Sequence, residues 1–273
     1  MNWGGANGEV LVNNHGLSRK HIVEGLKASL ERLDLEYVDI VYAHRPDRLT
    51  PMEEIVRAFN YVIENGWAFY WGTSGWSADE IAEAYGIAKD LRMLGPIVEQ
   101  PLYNILDRKK VEGEFQRLYK RCGLGLTTFN PLKMGLLSGK YNDALQGPPG
   151  SRFSESKDKF AGFMRDKYGN EVWKSNVAKV AKLKVCSDLQ RSDEADIEQL
   201  IAEKLGVTQS QLALSWCLKN ENVSSVITGA SRPDQIVENV KCLGVLEKLT
   251  GEIMDEIDQV MVNKPALDPA RQD

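Results

Sequence analysis

Tyr37-Val38-Asp39-Ile40-Val41-Tyr42-Ala43-His44-Arg45-Pro46-Asp47 is a short apolar run that ends abruptly in charged and polar residues. A run like this, followed by a helix, reads as one strand of a parallel sheet buried on both faces. Its polar end is then the C-terminal end, where parallel α/β folds place their chemistry. Four more runs of the same character follow: Ala68 to Ser74, Pro96 to Gln100, Gly123 to Asn130 and Ser224 to Gly229. All but the last are spaced by roughly 30 residues, the length of one βα unit. Nothing of this kind precedes Tyr37, and Met1 to Gly16 is rich in Gly and Asn and reads as loop.

Helix starts lie between the strands. Ser18 is placed to cap a helix with Ile22, Val23, Leu26, Leu30 and Leu33 on one face. Thr50-Pro51-Met52-Glu53 reads as a capping box with proline at the first helical position, and Asn65-Gly66 as the stop of that helix. Ser77 to Glu80 and Thr208 to Gln211 are further capping boxes, and Ser231-Arg232-Pro233-Asp234 opens a helix through Val240. Leu102-Tyr103-Asn104 looks exposed, and Val111, Phe115, Leu118 and Tyr119 share helical spacing. Leu132 to Trp173 is a long stretch rich in Gly, Pro, Ser and charge, which points to function or disorder. Strand, capped helix, strand, repeated, means a parallel sheet with helices outside.

The balance of charge narrows the function. A net charge of −5 with no basic stripe argues against nucleic acid. Cys122, Cys186, Cys217 and Cys242 lie far apart, without CxxC or Cys/His clustering, so no metal site or disulfide framework is expected. No apolar run is long enough to span a bilayer and no signal peptide is evident, which reads as a cytoplasmic protein.

The five strands end in His44, Ser74, Gln100, Asn130 and Gly229. In a barrel these positions converge on one rim, whereas an open sheet spreads them out, so the pattern favours an α/β barrel. Gly229-Ala230-Ser231-Arg232 offers amides, a hydroxyl and a guanidinium to an anion, and is equally the make-up of an ordinary helix start. Ser74 and Gln100 suit a planar amide or simply satisfy strand ends, and Phe129 suits stacking on a flat ring or filling core. Together they describe a pocket for a ligand with a phosphate and a ring, such as a dinucleotide.

Gly16 to Gly25, Tyr42 to Asp47, Tyr70 to Ser74, Val98 to Gln100, Leu136 to Tyr141 and Val223 to Ser231 resemble, in that order, aldo-keto reductases of the voltage-gated potassium channel β-subunit group. The resemblance runs from Trp3 to about Pro265 and is to the plant-type branch, with His at position 44 where animal members have Asn. It implies a (β/α)8 TIM barrel in which NADPH is bound at the C-terminal rim and aldehydes or ketones are reduced. By resemblance, Ser74 and Gln100 hold the nicotinamide carboxamide and Phe129 stacks on its ring. Asn130, Pro131, Leu132 and Lys133 line the pyrophosphate path with Lys140 and Arg152, while Gly229, Ser231, Gln235, Glu238 and Asn239 grip the adenosine and its 2′-phosphate. Phe129-Asn130 stands where the family has Trp-Ser, and Lys133-Met134 replaces smaller residues near the phosphates. The polar stretch from Cys186 to Asp196 resembles an insertion.

Of the family's catalytic Asp, Tyr, Lys and His, only His44 has a counterpart in this chain, and Trp3-Gly4-Gly5 matches the segment just after the Lys. The expectation is a single partial barrel domain over residues 1–273, truncated at the N-terminus to about strands 4–8. Three functional readings follow from the resemblance. One is an NADPH-dependent oxidoreductase for a small carbonyl substrate. The second is a non-catalytic NADPH-binding subunit of a potassium channel, peripheral to the membrane, and the third an inactive fragment. The group resembled is a homotetramer.

Overall fold

The computed structural model describes residues 15–142, 171–183 and 201–266. They form two compact units: 15–102 with 109–128, and 103–108 with 129–142, 171–183 and 201–266. The fold is α/β, and in the first unit strands and helices alternate as in a stretch of a (β/α)8 barrel.

The first unit runs α1 (Arg19–Leu33), β1 (Val38–His44), α2 (Met52–Glu64), β2 (Ala68–Ser74), α3 (Ala78–Asp90), β3 (Val98–Gln100), a π-helical turn (Lys110–Glu114), α4 (Gln116–Cys122) and β4 (Gly125–Phe129, its last residue in the second unit). β1 to β4 pair in parallel and in chain order, His44 opposite Ser74, Ser74 opposite Gln100 and Glu99 opposite Leu126. Gly72 faces Val98 so closely that a Cβ there would stand 2.6 Å from the Val98 carbonyl oxygen. α2 buries Ile55, Val56, Phe59 and Val62 completely, with Phe59 stacked on Trp71 at 4.8 Å. Full burial of each such side chain favours folding by about 1.5–3 kcal/mol.

Local signals hold at most boundaries. Ser18 accepts from the His21 amide, Ser77 and Glu80 complete their capping box, and Gly66 leaves α2 at φ 74°. Three expectations are corrected. The Thr50 hydroxyl does not cap α2: it donates to Asp47 Oδ2 at 2.7 Å, and the helix starts after Pro51 with no side-chain cap. β1 is not buried on both faces. Val41 and Ala43 on one face are buried, whereas Val38, Ile40, Tyr42 and His44 on the other are only half-buried. The helix through Val111 and Tyr119 is broken, the Phe115 amide closing on the Lys110 carbonyl at 2.9 Å before α4 begins.

The second unit holds a 3-10 segment (Lys133–Ser138), α5 (Glu171–Ala181), α6 (Ile201–Leu205), α7 (Gln209–Leu218), β5 (Val223–Ile227), α8 (Pro233–Val240), a 3-10 segment (Lys241–Lys248) and α9 (Gly251–Met261). α7 opens with the expected box at Thr208 and Gln211 and is its centre, with Leu212, Leu214 and Trp216 buried. Tyr103 and Asn104, expected to be exposed, are buried. The Tyr103 ring lies 5.0 Å from that of Trp216, and its hydroxyl accepts from Asn220 Nδ2. Arg108 reaches over the Trp216 ring and donates to Asp258 at 2.5 Å. β5 starts one residue and ends two residues earlier than expected and is exposed, not buried, at Ser224, Ser225 and Ile227. Ser231 does not cap α8; Arg232 occupies that position without a side-chain cap bond. The expected insertion at Cys186 to Asp196, Trp3-Gly4-Gly5 and Arg152 lie outside the described residues.

Candidate cofactor-binding residues

Parallel pairing brings the ends of three strands level, so His44, Ser74 and Gln100 become lateral neighbours. Ser74 Oγ donates to the Gln100 carbonyl at 3.1 Å, and the Arg45 amide donates to the Ser74 carbonyl at 3.0 Å. Immediately beyond β1 and β2 the backbone turns left-handed, at Arg45 (φ 65°) and Gly75 (φ 74°). A Cβ on Gly75 would stand 1.8 Å from Arg45 Nη1, so glycine alone leaves room for the guanidinium.

Beneath this edge lies a group that the sequence reading passed over. Glu99 is fully buried, accepting from Thr73 Oγ1 at 2.5 Å and from the Gly75 amide at 2.6 Å. Burial pushes its carboxyl up to about 7, against the downward pull of Thr73, the Gly75 and Trp76 amides and the Lys110 ammonium. Lys110 Nζ itself donates to the carbonyls of Gly75 and Trp76. The available signal was a glutamate inside an otherwise apolar run next to Gln100. His44 is half-buried, and burial, then nearby positive charge including Arg45, lowers its pKa. At neutral pH its imidazole is therefore neutral.

In the second unit, the chain after Phe129 makes a tight turn with Asn130 (φ 58°), Lys133 (φ 46°), Met134 (φ 57°) and Gly135 (φ 93°) all left-handed. The Asn130 side chain accepts from the Met134 amide at 2.7 Å, and its carbonyl accepts from the Lys133 amide. Pro131 and Lys133 are buried, and Lys133 Nζ donates to Asp107 Oδ2 at 2.5 Å. Lys140 closes over the other side: a Cβ on Gly135 would stand 2.7 Å from Lys140 Nζ. Two ammonium groups thus flank one glycine-bearing turn.

At the start of α8, Ser231 donates through its amide and hydroxyl to Gln235 Oε1, at 2.8 and 3.3 Å. Arg232 forms a fork with Asp234, which raises the pKa of the guanidinium and lowers that of the carboxylate. Glu238 accepts from Thr208 Oγ1 and Gln211 Nε2, both at 2.9 Å, and Asn239 is buried. Gly229 is exposed.

Each donor set, taken by itself, suits one part of a phosphorylated dinucleotide. Neutral hydroxyl and amide groups at the ends of β2 and β3 match a carboxamide. Lysines 133 and 140 around a turn that a Cβ would crowd match a diphosphate, and Ser231, Arg232 and Gln235 match a further phosphate. Among the described residues no three His, Cys, Asp or Glu side chains group to hold a metal ion. No described helix is long and apolar enough to cross a membrane.

Comparison with known proteins identifies the family. A protein from Arabidopsis thaliana named "Probable voltage-gated potassium channel subunit beta" is 52% identical over 263 residues, covering 96% of this chain and 72% of that protein. A protein of the same name from Oryza sativa subsp. japonica is 49% identical over the same share of each. Residues 8–262 match the pattern of the aldo/keto reductase family along nearly the whole chain. With its parallel strands, polar strand ends and these two relatives, the chain belongs to the aldo/keto reductase family.

Proposed function

We propose that this chain is an NADPH-dependent oxidoreductase of potassium channel β-subunit type, with small aldehydes or ketones as substrates. The observation that carries the reading is the left-handed turn from Asn130 to Gly135, flanked by the ammonium groups of Lys133 and Lys140. When bound, NADPH supplies the hydride. Ser74 and Gln100 hold its carboxamide and Phe129 stacks on the nicotinamide. Asn130, Pro131, Leu132, Lys133 and Lys140 take the diphosphate. Gly229, Ser231, Gln235, Glu238 and Asn239 take the adenosine and 2′-phosphate. His44, neutral at pH 7, would orient the carbonyl by donating a hydrogen bond to its oxygen, and the alkoxide left by hydride transfer would take its proton from water.

A second reading has a specific observation behind it. The hydroxyl of Tyr42 is bonded to Thr127 Oγ1 and that of Tyr103 to Asn220, and burial drives the Tyr119 phenol far up. None of these three is poised as a general acid. That favours an NADPH-binding auxiliary subunit of a voltage-gated potassium channel, the assembly that the relatives' names print; a homotetramer at the channel's cytoplasmic face is part of this proposal.

Titration with NADPH and NADH by fluorescence quenching tests the shared part. NADPH binds at least tenfold more tightly if Ser231 and its neighbours meet a 2′-phosphate, and equal affinities sink that assignment. Turnover with 4-nitrobenzaldehyde then separates the two readings. A rate that collapses in His44→Ala supports reduction, and a background rate with NADPH binding intact supports the auxiliary subunit.

A further inference from the structure

We propose that Asn104 and Asp107 are positioning residues for the turn after β4, and that through it they set the affinity for the diphosphate of the cofactor. The inference rests on the NADPH reading above. Neither residue was among those matched to the family's binding site, and both lie in the segment 103–108 that packs with the second unit.

The turn needs support. Asn130, Lys133 and Met134 adopt left-handed backbone conformations without being glycine, which costs free energy at each position. Such a path persists only where its surroundings determine it. Asn104 and Asp107 are part of those surroundings. The Asn104 side chain is completely buried; its Nδ2 donates to the Asn130 carbonyl at 3.1 Å and to Asp107 Oδ2 at 2.9 Å. Its Oδ1 accepts from the amides of Leu106 and Asp107, both at 3.0 Å. One amide therefore fixes the first residue of the turn to its own loop. Asp107 Oδ2 then receives Lys133 Nζ at 2.5 Å and so fixes the middle of the turn. Removing that acceptor takes a 2.5 Å hydrogen bond from a largely buried lysine head group and loosens its place. The carboxylate thus holds Lys133 and the amides of Lys133, Met134 and Gly135 in one arrangement while lying outside the set of ligand-contacting residues itself.

Two measurements test this on the full chain. Hydrogen exchange of the amides of residues 133–135, without ligand, reports the turn directly, with the amides of α7 as the reference. In Asp107→Ala they exchange at least tenfold faster, and in Asp107→Asn, which keeps an acceptor of the same shape, they stay within threefold. NADPH titration follows the same order: at least tenfold weaker in Asp107→Ala and in Asn104→Ala, within threefold in Asp107→Asn. Unchanged exchange in Asp107→Ala overturns the proposal. So does an Asp107→Asn variant as impaired as Asp107→Ala, since charge alone would then be the cause. If exchange responds as expected but the unaltered chain binds no NADPH, the positioning of the turn stands and the cofactor reading falls.

Discussion

Two carboxylates of the first unit lie near the C-terminal ends of β1 and β3, the strands on either side of β2, and behave in opposite ways. Asp47, just past β1, accepts from the amides of Leu17 and Leu49 and from the Thr50 hydroxyl. Burial pushes its carboxyl up, but those bonds outweigh it and the net shift is downward. Glu99, in β3, also accepts from a backbone amide and a threonine hydroxyl, and its carboxyl is pushed up to about 7. The partners are alike in kind and the depth is not: Glu99 is wholly enclosed, while Asp47 keeps contact with water. Hydrogen bonds lower a carboxyl pKa only until the desolvation of the charge exceeds what they return. Asp47 is therefore a fastener that works as an anion, tying the start of α1 to the loop after β1. Glu99 is a buried acid close to half-ionised at neutral pH, directly beneath Ser74 and Gln100.

The comparison can be broken most directly at Glu99. Its folded pKa lies above the ordinary carboxylate value, so the stability it contributes is complete below about pH 4.5 and is lost as pH rises towards about 7. The loss over that window is of order 3 kcal/mol. Glu99→Gln keeps an acceptor for the Gly75 amide and a donor for Thr73, and removes the ionisation. Chemical denaturation at pH 5 to 8 is expected to show a falling profile for the unaltered chain, a flat one for Glu99→Gln, and the variant more stable at pH 8. Parallel profiles would mean that the carboxylate is solvated and the contrast with Asp47 is empty.

Asp47→Ala should act in the reverse sense. Its stabilisation is present above about pH 3.8 and disappears as pH falls through its lowered folded value. Several bonds to one ionised, partly exposed group are worth about 2 kcal/mol. The variant is expected to melt lower at pH 7 and to converge with the unaltered chain near pH 3, as followed by circular dichroism. A deficit that persists unchanged at pH 3 would assign the effect to packing.

The smallest effect sharpens the contrast without disturbing the fold. Lys110 is the charged group that draws the Glu99 pKa down. Lys110→Met removes that pull and moves the Glu99 titration upward, measurable by carbon-detected NMR of the side-chain carboxyl. A downward movement would show that the Lys110 ammonium acts on Glu99 only through the Gly75 and Trp76 carbonyls it binds.

Much of this architecture was written in short stretches of sequence. Ser18, the Ser77/Glu80 pair and the Thr208/Gln211 pair each satisfy amides three residues away, so neighbours in the chain fix the outcome. Asn65-Gly66 ends α2 for the same reason, since a left-handed glycine needs no distant partner. The five strands were legible as apolar runs with polar ends, and parallel pairing of such runs sets His44, Ser74 and Gln100 side by side. The misreadings share one cause. Thr50 carries the local signature of a cap, yet Asp47 offers its hydroxyl an ionised acceptor, and a charge-assisted bond prevails over a neutral one. Tyr103 and Asn104 follow a proline and look like loop surface; Trp216 and the turn at Asn130, more than a hundred and some 26 residues further along the chain, make them interior. The sequence by itself thus determined where helices begin, where strands end and which family the chain resembles, because those rest on bonds and periodicities spanning a few residues. Only the tertiary structure decided that Glu99 is no more than about half-ionised at neutral pH, that Asp47 is held charged and that Asp107 holds Lys133, because each depends on how much water distant segments leave around a charge.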